Sequence, residues 1–129
     1  MSTWRRESLE RLPECRKIIE ESDSPMALWS DLLFRFEDAV DDNENDLVRR
    51  ILMYAAWSIS EKSGRLPNDT SSAAWVAFYE HLPTHKKYWS QFREWFYPHE
   101  FENIFPAFKY FLSDDELEEL KATYSRGNK

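Results

Sequence analysis

The chain has 129 residues, 42% of them hydrophobic and 32% charged, with a formal net charge of −7. That length fits a single helical domain of residues 1–129, and such a chain buries enough of its unfolded surface to fold without a disulfide or a metal. Two glycines, Gly64 and Gly127, exclude a glycine-rich phosphate loop or a dinucleotide fingerprint, and the lone Cys15 excludes an intrachain disulfide.

The lone cysteine fits a reducing, cytoplasmic compartment. The acid excess is spread over both halves and there is no basic tail, so binding of nucleic acid through its phosphates is disfavoured. A basic protein partner would suit this charge. The opening "MSTWRRESLERL" lacks the apolar core of a secretory signal, and no later run could span a membrane. The sequon Asn68-Asp69-Thr70 is therefore expected to stay unglycosylated.

In chain order, "WRRESLERL" (4–12) reads as a short helix that Leu12-Pro13 interrupts. Cys15, Ile18 and Ile19 then follow at helical spacing. Asp23 or Ser24 caps a long helix with Pro25 in its first turn, and Trp29, Leu32, Leu33, Phe36 and Val40 form its apolar stripe up to Asp41. The break "DDNEND" leads to a helix starting near Asn45. Its apolar arc, through Leu47, Val48, Ile51, Leu52, Ala55, Ala56 and Ile59, is wide enough for a central helix with neighbours on two sides. Lys62 and Gly64 should end it, and "RLPNDTS" is a linker. Asp69, Thr70 or Ser71 caps the next helix, with Ala74, Ala77, Phe78 and Leu82 facing inward and Pro83 as its stop. Thr84 starts a helix with an aromatic face of Tyr88, Trp89, Phe92, Trp95 and Phe96, which Pro98 closes. From Phe101 to Leu112 the period continues, and Pro106 should impose a kink or split it into two short helices. Ser113 and Glu116 form a capping box for the last helix, before "SRGNK" frays. With no two-residue alternation anywhere, the fold class is all-α: six to eight antiparallel helices, as a compact bundle or as HEAT-like hairpins.

Each candidate for chemistry meets a simpler explanation. His81 and His85 are four apart, but Glu80 precedes the pair and Pro83 divides it, unlike the helical zinc motif; His99 lies beyond another proline. His81 is expected to cap its helix and His85 to sit in the loop. Asp41, Asn43 and Asn45 match three alternate ligands of a calcium loop, yet Asp46 stands where glycine is needed and Leu52 where glutamate is. No metal or other cofactor is expected. Paired carboxylates Glu37/Asp41 and Glu116/Glu119 lie in polar segments with nothing to separate their pKa values. Cys15 belongs to an apolar face, as a structural cysteine would. In "KKYWSQFREWFYPHEF", Lys86, Lys87 and Arg93 interleave with Tyr88, Trp89, Trp95 and Tyr97, a weak footprint for nucleic acid that core packing plus a protein-binding edge explains better.

"DLVRRILMYAAWSIS" followed by "AAWVAFYEHL" resembles a family of small bacterial helical proteins of unknown function, over roughly residues 45–82. The resemblance implies no catalytic residues. Acidic helical chains of this size also resemble immunity proteins, in class and charge.

One stretch remains. Glu37, Asp38, Asp41, Asp42, Glu44 and Asp46 place six acids in ten residues with no base among them. This reads either as a solvated helix end or as an acidic docking surface, with Asp38, Asp41, Asp42 and Glu44 as the preferred contacts. The leading expectation is a non-enzymatic module that binds a basic protein, as immunity and regulatory proteins do. The alternatives are a helical enzyme with a dispersed site and a domain that pairs with a second copy of itself.

Overall fold

The structure is a computed structural model and describes residues 2–60 and 70–126. Among these residues there are eight α-helices and no strand: α1 (Thr3–Arg11), α2 (Arg16–Glu21), α3 (Pro25–Asp41), α4 (Asn45–Ser58), α5 (Thr70–Ala74), α6 (Phe92–Trp95), α7 (Pro98–Phe108) and α8 (Asp114–Arg126). The fold is all-α, as composition and periodicity require. No described helix is long and apolar enough to cross a membrane. The stop signals Lys62 and Gly64, the linker to Asp69 with its sequon, and the last three residues lie outside the described residues. The chain divides into two compact units, Met1–Phe78 and Tyr79–Lys129.

In the first unit, α1 ends at Leu12 and Pro13 opens a 3-10 turn, Pro13–Cys15, that leads into α2. The carbonyl end of α2 is closed by a side chain from α1. Arg5 donates to Ile19 O at 2.8 Å and Ser22 O at 2.7 Å, so its positive charge sits at the negative end of the helix. Of the two candidates for the α3 cap, Ser24 serves: its Oγ accepts from Ala27 N at 3.1 Å, with Pro25 in the first turn. Trp29, Leu32, Phe36 and Val40 of the expected stripe are buried, and Leu33 is half-buried.

Helix α4 packs on α1, α3 and α5, so it is the central helix of this unit. Its buried arc differs from the expected one. Leu47, Val48, Ile51 and Ala55 are buried, but Leu52 and Ile59 are half-buried and Ala56 is exposed. Tyr54 takes a place in the core instead, fully buried. It stacks on Trp29 at 5.1 Å and on Trp57 at 5.9 Å, and Trp29 and Phe36 both reach Phe78. Its hydroxyl donates to Trp4 O at 3.0 Å, so a ring that a periodicity count leaves out is satisfied at its polar tip. Ser58, also buried, donates to Tyr54 O.

The helix expected to run to Leu82 is shorter. α5 ends at Ala74 and the chain widens into a π turn, Trp75–Tyr79. A π turn holds more residues than an α turn, and Ala77, Phe78 and Tyr79 are all buried there in succession.

The second unit is built from shorter pieces. Leu82–Thr84 and Lys86–Gln91 are 3-10 turns, and α6 is one turn long, so the aromatic segment does not form the continuous helix expected from Thr84. Trp89 Nε1 donates to Pro83 O at 2.8 Å, which holds that bend. Tyr88, Trp89, Phe92 and Phe96 are buried and Trp95 is half-buried. Pro98 opens α7 rather than closing the preceding helix, and Tyr97 N donates to Glu100 Oε1 at 3.0 Å to cap it. One helix runs through Pro106, against the expected split. The proline lies two residues from the end, and the carbonyl it leaves unbonded belongs to the exposed Glu102. The capping box of α8 is present in both halves, Glu116 N to Ser113 Oγ and Ser113 N to Glu116 Oε1. Phe101 stacks on Tyr124 at 3.8 Å, whose hydroxyl donates to Phe96 O at 2.7 Å.

Candidate functional site

Helix α3 ends in acid. Its last turn holds Asp38 and Asp41 and no basic residue, and Asp42 is the C-cap. Carboxylates at the carbonyl end of a helix oppose its dipole, at about 0.3–1 kcal/mol each. The chain then turns in a Schellman motif: Glu44 N donates to Ala39 O at 2.8 Å and Asn43 N to Val40 O at 3.2 Å. Asn43 takes the left-handed conformation the motif needs, with φ 58°. Asp38, Asp41, Asp42, Glu44 and Asp46 are all exposed, and Glu37 is half-buried.

The fold brings two arginines to this acidic stretch. Arg35, two residues before the first of these acids, makes a bidentate pair with Glu44, at 2.8 and 3.2 Å. That hydrogen bond holds the Glu44 carboxyl below its ordinary range. Arg50, on α4, donates to Asp46 at 2.9 Å, to both oxygens of Glu14 and to Arg11 O at 3.1 Å. The hydrogen bond from Arg50 lowers the Glu14 carboxyl to about 2. Both oxygens of Glu44 are therefore engaged, and Asp46 is paired. Asp38, Asp41 and Asp42 are exposed at the helix end. The Asp46/Arg50 pair was legible as an i, i+4 spacing. The Arg35–Glu44 pair spans a turn whose shape only the fold defines.

Sequence reasoning passed over Phe34. The 3.6-residue period sets it opposite the buried stripe, among Ser30, Asp31, Asp38 and Asp41, all exposed, and the ring itself is 66% exposed. Its place off the stripe was the available signal.

The histidines are dispersed into ring contacts. His81 lies against Phe111 at 4.7 Å, His85 meets Tyr88 edge-on and His99 stacks on Tyr97. Thr84, not the His81 ring, closes the carbonyl end there: its N and Oγ1 both donate to His81 O. Among the described residues no three His, Cys, Asp or Glu side chains are grouped to hold a metal ion. Cys15 is buried, and that burial raises its thiol above the ordinary value. In the basic-aromatic segment, Tyr88 and Trp89 are in the core. Lys86 pairs with Glu119 at 2.7 Å and lies over Trp89, Lys87 lies over Tyr88, and Arg93 lies over Tyr124. Trp95 of this segment is half-buried and Tyr97 is exposed.

Comparison with protein families, curated proteins and solved structures finds no match to this chain.

Proposed function

We propose that this protein is a non-enzymatic binding module whose acidic α3 end meets a basic protein partner, in the manner of a regulatory or immunity protein. One observation carries the reading: Asp38, Asp41 and Asp42 crowd the negative end of α3, where they weaken the helix, and their carboxylates are exposed. A sequence shaped for stability alone would favour Lys or Arg there. Glu44 contributes less than Asp38 and Asp42, because Arg35 already holds both of its oxygens. The lone buried Cys15 fits action in the cytoplasm.

Charges of this kind act mainly on encounter rate. The test is affinity capture from native lysate at low and high salt, followed by association rates of the captured protein with wild type and with the Asp38→Lys, Asp41→Lys, Asp42→Lys triple variant. The variant should fold normally and associate at least tenfold more slowly at low salt, where electrostatic steering is strongest. Equal rates at low salt would remove the acidic face from the proposal. Turnover of a small metabolite with no protein captured would remove the proposal itself.

A further inference from the structure

Resting on that reading, we infer that Phe34 is the anchor of the acidic face and that it selects arginine over lysine in the partner. An exposed phenylalanine has no local role on a helix whose opposite side already fills the core. Here it is the most exposed large apolar side chain of α3, ahead of Met26, and the exposed acids nearest it along the helix are Asp31 three residues before and Asp38 four residues after, next to the half-buried Glu37. Residues at i−3 and i+4 flank the ring on one face. That arrangement matches the chemistry of a guanidinium. Its plane stacks on an aromatic face while its N–H groups reach carboxylates at the ring edge. An ammonium is a compact, strongly hydrated charge. It would meet the same acids but gain little from the ring. Charge complementarity decides the occupant: an apolar partner segment would have to desolvate Asp31 and Asp38, whereas an arginine-bearing one pairs with them.

The experiment uses the full chain and two short synthetic peptides of equal charge, an arginine–serine repeat and its lysine–serine counterpart, titrated at low salt and followed by NMR. Wild type should bind the arginine peptide roughly three- to fivefold more tightly than the lysine one. Phe34→Ala should abolish that preference with the lysine affinity unchanged, and Phe34→Trp should restore it. Because residue 34 is exposed, the alanine variant keeps its melting temperature, which separates loss of the anchor from loss of the fold. Equal binding of the two peptides by wild type would overturn the inference. If the Asp38, Asp41, Asp42 reversal still weakened both peptides, the acidic face would survive that failure; if it weakened neither, the acidic face would fall with the anchor. A wild-type dimer that dissociates on Phe34→Ala would assign the ring to a second copy of the chain and also overturn the inference.

Discussion

Asn43 holds the turn between α3 and α4 at φ 58°, a region that costs most L-residues about 1–2 kcal/mol. Asparagine tolerates it better than most, so Asn43→Gly should stay within about 0.5 kcal/mol of wild type, while Asn43→Val should lose about 1–2 kcal/mol in urea denaturation. Equal midpoints for all three would show that the turn does not depend on this residue. Glu14 makes a second residue-scale case. Its carboxyl is lowered from 4.5 to about 2 by the hydrogen bond from Arg50, so the folded state binds this proton less readily than the unfolded one. The pair's contribution is therefore complete above pH 4.5 and fades as pH falls towards 2. The pair is solvent-accessible, so screening limits it to about 1 kcal/mol or less. Glu14→Gln should be less stable than wild type at neutral pH, and the two should converge in acid. A difference that persists unchanged at pH 2 would place the effect elsewhere.

At the scale of elements, the helix starts that carry a side-chain cap were legible, and the stops of α5 and α6 were not. Ser24 and the Ser113/Glu116 box were readable because a cap is local chemistry, a hydroxyl or carboxylate three residues from an unbonded N–H. Ser113→Ala should cost about 1 kcal/mol in thermal or urea unfolding, and no loss would show that α8 stands without its cap. The α4 arc was read too broadly because periodicity weighs apolar atoms and overlooks a tyrosine whose hydroxyl finds a carbonyl across the core. Ile51→Ala should cost about 2–5 kcal/mol, since Ile51 is fully buried. Leu52→Ala should cost less than half as much, because that side chain is already half in water. Equal losses would mean that α4 is turned towards Leu52. The π turn at Trp75–Tyr79 and the 3-10 turn at Lys86–Gln91 left no local signature. In the π turn, Phe78 meets Trp29 and Phe36, rings contributed from far back in the sequence.

For the whole molecule, charge must be separated from its placement. Each Asp→Lys change adds two positive charges, so reversing Asp38, Asp41 and Asp42 takes the formal charge from −7 to −1. Reversing the exposed Glu102, Asp114 and Asp115 of the second unit makes the same change without touching α3. Steering by a local face predicts that only the first triple slows association at low salt, and that its difference from wild type shrinks as the Debye length falls to about 3 Å near 1 M. If both triples slow association equally, the partner is responding to net charge alone.

From sequence alone came the helical class, most helix starts, the acids at the end of α3 and the absence of glycine-rich nucleotide loops. Each depends on neighbours within about one or two turns, where spacing and side-chain chemistry suffice. Tertiary structure decided what depends on residues far apart in the chain. It set Tyr54 between Trp29 and Trp57, placed Arg5 on the end of α2 and gave Glu44 to Arg35, and it left Phe34 in solvent among acids. The physical reason is that burial and ion pairing are settled by which helices pack together. A helical period identifies an apolar face, but it does not say which element will cover that face or which charges will be brought beside it.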